Sequence, residues 1–284
     1  MCDQKDKGIV PYTAMSRRRF AALGIAAAGL SVTACATAAS GPLQVAEREV
    51  VVTTPEGPAE AVLFYPEGTR PSPGVLFWPD IGGLRPSMRD MGRRLAGSGY
   101  AVLVVNPFYR AGSAAATAGV GRDPEKRAAL RAGMTPAGID SDSKAFVSYL
   151  DSLPQTSNAK VGVQGYCMGG PLSFRTAAAV PHRIGAVGSF HGGGLVTEDA
   201  DSPHLLIGDT NARYLVAIAN NDDEREPQVK SVLRQTFDAT GRPAIVEVYA
   251  GNHGWCVPDN GAYNLAEAER AWATLLDLYR AALI

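Results

Sequence analysis

Short, unbroken apolar runs alternate with longer stretches of mixed polarity along most of this chain. The runs are Val75 to Trp78, Ala101 to Val105, Val161 to Val163, Ala186 to Phe190, Leu215 to Ala219 and Ile245 to Tyr249. Runs this short and this continuous suit strands buried on both faces of a parallel sheet. Helices fit the intervening stretches Ser87 to Ser98, Ser141 to Ser152, Gly170 to Ala179, Gln228 to Thr240 and Ala262 to Ala282. Ahead of them, Glu47 to Thr53 and Ala59 to Phe64 are β-rich and separated by Pro55-Glu56-Gly57-Pro58, which reads as an antiparallel hairpin. A hairpin followed by repeated βα units predicts an eight-stranded, mostly parallel, doubly wound sheet with helices on both faces. Residues 111–138 break the rhythm with small residues and then Arg122-Asp123-Pro124-Glu125-Lys126-Arg127. They read as an excursion over the carboxyl edge of the sheet, either a lid or a disordered surface loop.

Composition narrows the partners. With 284 residues, 46% of them hydrophobic, and a formal net charge of −1, the chain has apolar material for one large core. Its cations are scattered and balanced by acids, so no electrostatic footprint for nucleic acid is present and small molecules are the expected partners.

The N-terminus carries a different signal. Ser16-Arg17-Arg18-Arg19-Phe20 precedes an uncharged stretch from Ala21 to Ala34, the form of a twin-arginine export signal. At about 1.5 Å per residue that stretch is too short to span a bilayer as a helix. Residues 1–38 are therefore expected to be an export signal, leaving residues 39–284 as one domain in the periplasm or cell envelope with no transmembrane span. Ala36-Thr37-Ala38 suits simple cleavage, whereas Val32-Thr33-Ala34-Cys35 resembles a lipoprotein box that would leave a lipid anchor on Cys35. Cys2 and Cys35 fall in this segment, so the domain itself holds Cys167 and Cys256. Two cysteines are no disulfide framework, although they could pair with one another.

The most specific motif is Gly165-Tyr166-Cys167-Met168-Gly169-Gly170, between a predicted strand and a predicted helix. This is the nucleophile-elbow pattern with Cys as nucleophile: the crowded turn needs small flanking residues, and the helix N-terminus favours thiolate. A base is expected after the last strand, where Ala250-Gly251-Asn252-His253-Gly254-Trp255 supplies His253. His191, heading Gly192-Gly193-Gly194, is second choice; His182 and His204 are less well placed. The acid is expected after the strand ending at Ala219, in Asn220-Asn221-Asp222-Asp223. Counting from the strand favours Asp222 and counting back from Pro227 favours Asp223; Asp222 is preferred. Backbone amides of Met168 and of Ile81, in Trp78-Pro79-Asp80-Ile81-Gly82-Gly83, are the expected oxyanion donors.

On these residues the chain from about Glu47 onward resembles the dienelactone hydrolase (carboxymethylenebutenolidase) family, which implies the α/β-hydrolase fold. The resemblance also implies that an acidic residue of the early loop contacts the resting nucleophile; the matching position is Asp80, one methylene shorter than the usual Glu. It makes Arg110, in Asn106-Pro107-Phe108-Tyr109-Arg110, the candidate for binding a substrate carboxylate. The family's arginine shortly after the catalytic histidine has no counterpart in Trp255-Cys256-Val257-Pro258-Asp259, and Trp255 suggests either contact with a more apolar or bulkier ester or simple packing. Cys256 lies three residues past His253, which leaves a disulfide with Cys167 as an open alternative, since adjacency in sequence to the base does not fix the direction of the sulfur.

The expected function is hydrolysis of a carboxylic ester or lactone through a Cys167–His253–Asp222 triad and a thioester acyl-enzyme, with no metal or organic cofactor. The rival expectations are a non-catalytic binding protein on a hydrolase fold and a thiol redox protein using both cysteines.

Overall fold

The computed structural model describes residues 43–68 and 70–284, so the expected export segment and Cys35 lie outside the described residues. The expected hairpin is β1 (Val45–Thr54) and β2 (Gly57–Pro66), paired antiparallel around the two-residue turn Pro55-Glu56. The apolar runs become β3 (Gly74–Trp78), β4 (Ala101–Val105), β5 (Val161–Tyr166), β6 (Ile184–Phe190), β7 (Arg213–Ala219) and β8 (Ala244–Tyr249). These eight strands form one sheet in the order β1-β2-β4-β3-β5-β6-β7-β8. β2 joins β4 antiparallel, and every pair from β4 through β8 is parallel.

Alternate residues of the central strands feed two separate cores, which is why their sequences show no polar face. Leu76, Trp78, Leu103, Val163 and Val216 pack toward one face. There they meet Phe146 and Leu150 of α4 (Pro136–Ser152), Phe174 of α5 (Gly169–Ala179) and Leu233 and Phe237 of α7 (Val229–Thr240). Val75, Phe77, Val102, Val104 and Leu215 pack toward the other face, against Met88 and Leu95 of α1 (Pro86–Ala96) and Leu275 and Tyr279 of α8 (Leu265–Leu283). The buried polar groups at the end of β3 are paired, as burial demands. Trp78 Nε1–H donates to Thr176 Oγ1 at 3.0 Å, and Thr176 meets the Ser143 hydroxyl at 2.9 Å, so α4 and α5 are tied to the end of β3.

Residues 111–138 are not a bare loop. They form α2 (Ala114–Thr117), a 3-10 turn at Val120–Arg122, α3 (Pro124–Ala132) and the start of α4. A short α6 (Asn220–Arg225) begins directly after β7. Among the described residues no helix is long and apolar enough to cross a membrane.

Candidate active site

The carboxyl ends of β3, β5, β6, β7 and β8 bring the site together. Cys167 stands between β5 and α5 with φ +54, a left-handed conformation that costs a non-glycine residue about 1–3 kcal/mol. Two hydrogen bonds hold it there: its N–H donates to Phe190 O at 3.0 Å, and its carbonyl accepts from Gly170 N at 3.1 Å. The flanking glycines have no substitute. A Cβ on Gly165 would lie 1.8 Å from Gly169 O, and one on Gly169 would lie 2.5 Å from Trp78 O. The motif is therefore a steric requirement of β5, α5 and the β3 loop meeting at one point. The sulfur is half-buried and stands at the N-terminus of α5.

His253 follows β8, and its N–H donates to Asn221 Oδ1 at 2.7 Å. Its Nδ1 meets Asp222 Oδ2 at 2.6 Å, while Asp222 Oδ1 accepts from Arg225 at 2.9 Å. Asp223 turns away to Lys230 at 2.6 Å, so of the two carboxylates Asp222 meets the imidazole. The hydrogen bond to Asp222, and after it the one with the Cys167 thiol, push the His253 pKa up to about 10 against the opposing effect of burial. Burial raises the Asp222 pKa, but the bond and charge of His253 and the charge of Arg225 outweigh it and leave the carboxyl below its usual range. Carboxylate and imidazole are hydrogen-bonded, and the imidazole interacts in turn with Cys167, an arrangement that can move a proton off the sulfur and hold the resulting charge.

The amides of Ile81 and Met168 have no hydrogen-bond partner among the described residues, and both residues pack in the same apolar cluster as Cys167. The excursion supplies the facing wall. Gly119 N–H donates to Gly82 O at 2.9 Å, and Val120, Leu130 and Met134 join Phe108, Ile81 and Met168 in one apolar cluster around Cys167.

Three expected site residues are placed differently. Asp80 does not hold the nucleophile: its carboxylate accepts from Arg85 at 2.6 and 2.9 Å and from Gly82 N at 2.7 Å, all local donors that outcompete a half-buried thiol. Arg110 does not await a substrate carboxylate: its guanidinium donates to both oxygens of Asp142 at 2.8 and 2.9 Å and to Glu56 at 2.8 Å, over the Tyr109 ring. Trp255 is not a substrate contact, because it is fully buried and stacked on Tyr249 at 4.7 Å.

The open question of a disulfide is answered by two free thiols, with Cys256 Sγ facing His191 Nδ1 at 3.5 Å. His191 itself is only 1% exposed, and burial, then the charge of His253, push its pKa down to about 3. It lies behind the His253 ring rather than in the cleft, with centroids 4.7 Å apart.

Sequence reasoning missed Arg85. It bridges Asp80 and Asp259, donating to the latter at 2.7 and 2.8 Å, and so ties the loop of Ile81 to the loop after His253. The available signal was its position: a cation directly before Pro86 at a helix N-terminus opposes the helix dipole, and such a residue needs another reason to be there. Among the described residues no three His, Cys, Asp or Glu side chains cluster as a metal ion would require.

Comparison with known proteins adds an independent line. A model of the dienelactone hydrolase family matches residues 59–283. A Methylorubrum extorquens protein named, provisionally, a carboxymethylenebutenolidase is 23% identical over 283 residues, covering 96% of each chain. A crystal structure from Klebsiella pneumoniae, provisionally identified as a dienelactone hydrolase, superposes with TM-score 0.75 at 21% identity, covering 84% of this chain and 99% of that one. The dienelactone hydrolase-like promiscuous phosphotriesterase P91, from metagenomic libraries, does so with TM-score 0.73 at 22% identity and the same coverage.

Proposed function

This chain belongs to the dienelactone hydrolase family and is a hydrolase, and from that premise we propose that it cleaves carboxylic esters or lactones through Cys167, His253 and Asp222. The observation that carries the reading is the hydrogen bond between Asp222 and a His253 whose protonated form Cys167 also stabilises, with that cysteine held at φ +54. His253 takes the thiol proton, and the thiolate attacks the substrate carbonyl, forming a C–S bond. The negative charge passes to the carbonyl oxygen, where the amides of Ile81 and Met168 receive it. Collapse breaks the C–O bond, His253 protonates the leaving alkoxide, and a thioester remains on Cys167. With no thiolate beside it, the imidazole then deprotonates water; attack on the thioester breaks the C–S bond, releases the acid and restores the thiol.

The apolar wall of Phe108, Val120, Leu130 and Met134 suits an uncharged acyl group, and the neighbouring cations Arg85 and Arg110 are already paired. The free thiols of Cys167 and Cys256 lend a redox reading no support.

Turnover of p-nitrophenyl acetate, butyrate and hemisuccinate tests both parts. Wild type should prefer the uncharged butyrate at least about tenfold over the charged ester, and Cys167→Ala should lose at least about 10³-fold in kcat. Wild-type turnover by Cys167→Ala would remove the nucleophile from the scheme. A preference for the hemisuccinate would instead point to Arg131, exposed at the rim of the cavity beside Met168, as a carboxylate receptor.

We also propose that residues 1–38 direct export. Fused to a reporter in a bacterial host, they should deliver it to the periplasm, and replacing Arg17 and Arg18 by Lys should retain it in the cytoplasm; unchanged delivery contradicts the twin-arginine route.

A further inference from the structure

Among the described residues two non-glycine residues have positive φ: Cys167 at +54 and His191 at +40. The elbow accounts for the first. Nothing in the chain trace accounts for the second, because the next three residues are glycines and any of them could take a left-handed turn without strain. The surroundings over-determine His191 instead. The carbonyl just before it, Phe190 O, accepts the nucleophile's own N–H at 3.0 Å, and the His191 N–H donates to Ala217 O of β7 at 2.8 Å. Strain maintained in this way beside a reactive residue points to a use for the side chain that it aims.

The ring is aimed at the base. It packs against His253 with centroids 4.7 Å apart and planes 76° apart, an edge-to-face contact. Its Nδ1 lies 3.5 Å from Cys256 Sγ. Burial pushes the Cys256 thiol far above its ordinary range, so it stays S–H and donates to Nδ1, which leaves the His191 proton on Nε2. The other groups that face His191 are the Tyr166 ring at 6.1 Å, the Ala217 carbonyl and, through His253, the Asp222 carboxylate.

We propose that His191 is a positioning residue for the base: its buried ring holds the His253 imidazole in the one plane where Nδ1 meets Asp222 and Nε2 meets Cys167. A neutral ring suits the task because it fixes the orientation without setting a second positive charge against the imidazolium. Rotation of the ring would break its bond to Asp222 and draw it away from Cys167 at once. The proposal rests on the Cys167–His253–Asp222 reading.

The test is the pH dependence of iodoacetamide alkylation at Cys167 in the full chain, followed by peptide mass spectrometry so that the other cysteines are counted separately. Alkylation follows the thiolate, and the thiolate is held by the imidazolium. Wild type sets the reference rate and midpoint. His191→Asn keeps a residue that tolerates positive φ and an acceptor for the Cys256 thiol, but removes the ring. It should raise the midpoint, slow alkylation at acidic pH at least about fivefold, and lower kcat at least about tenfold with little change in KM, against the ~10²-fold that a 1 Å misplacement can cost. His191→Gly relaxes the backbone and should show the same shift even if the Asn variant folds poorly. His191→Phe, which keeps a ring in the slot, should fall between these variants and wild type.

His253→Ala separates the two claims. If it leaves the alkylation midpoint unchanged, the triad reading fails and the positioning role with it. If it raises the midpoint while folded His191→Asn or His191→Gly does not, the positioning role alone is overturned.

Discussion

Arg85→Met tests whether the Arg85 bridge organises the two loops on either side of the nucleophile. The guanidinium side chain is 9% exposed and pairs with Asp80, 10% exposed, and with Asp259, 37% exposed. Burial opposes its charge, but the hydrogen bonds it donates to Asp259 and Asp80 more than offset that and hold the arginine even more firmly protonated than usual. Removing the guanidinium strands the Asp80 carboxylate with Gly82 N–H as its remaining partner. Breaking one side of a buried pair costs about 3–5 kcal/mol, whereas the more exposed Asp259 side adds no more than about 1 kcal/mol. At about 2–4 °C per kcal/mol for a domain of this size, the melting temperature should fall by about 6–24 °C in a calorimetric scan at neutral pH.

Adding Asp80→Asn to Arg85→Met removes the stranded charge and keeps an acceptor for Gly82, so at least about half of the lost stability should return. Because Asp80 also anchors the loop that presents the Ile81 amide, the single variant should lose about tenfold in kcat, less than the ~10²–10³ attributed to an oxyanion donor removed outright. Melting within about 2 °C of wild type, or a double variant no more stable than the single one, would refute the reasoning.

Asp222→Asn should lower kcat by about 10³–10⁴ through the wrong imidazole tautomer, while Asp223→Asn, which loses only its pairing with Lys230, should stay within about threefold; steady-state kinetics on one ester decide it. Stability should depend on pH at both ends through the single Asp222–His253 pair. The folded His253 pKa, raised to about 10, makes its contribution complete below the unfolded value of about 6.5 and lost as pH rises through the folded one. The lowered Asp222 pKa makes the same pair's contribution present above about 3.9 and lost as pH falls through the depressed value. Melting temperature should thus plateau between these limits, and His253→Gln should flatten the alkaline limb; an unchanged limb would assign it to other groups. Gly165→Ala puts a methyl 1.8 Å from Gly169 O, backbone that no rotamer can relieve. Urea unfolding should show a loss of at least about 1–3 kcal/mol, and a wild-type curve would contradict the elbow geometry.

What the sequence revealed and what it hid follow from the range of the forces involved. The strands were legible because each central residue faces one of two cores, and the elbow was legible because its glycines answer contacts within a few residues. Helix starts were less so: α4 begins at Pro136, capped by Thr135, five residues before the polar pattern suggested. Asp222 and Asp223 are adjacent, and the choice between them depends on α6 starting at Asn220, which sends one side chain to His253 and its neighbour to Lys230. Arg110 was misread because its partner comes from distant sequence, and Asp80 because its near neighbour Arg85 is itself held by a distant carboxylate. Asp142 lies 32 residues from Arg110, and Asp259 lies 174 from Arg85. Trp255 was misread because its exposure depends on stacking against Tyr249, which its position in a loop does not reveal.

The central claim, a covalent acyl-enzyme on Cys167, is tested most directly by quenching turnover of p-nitrophenyl butyrate in acid and mapping the acyl group by peptide mass spectrometry. The account predicts a butyryl group on the peptide containing Cys167, labile to hydroxylamine as a thioester is, absent from Cys167→Ala and accumulating in His253→Gln if acylation outlasts the loss of the base. Turnover at full rate with no acyl group on Cys167 at any quench time, or with the acyl group on another residue, would contradict it.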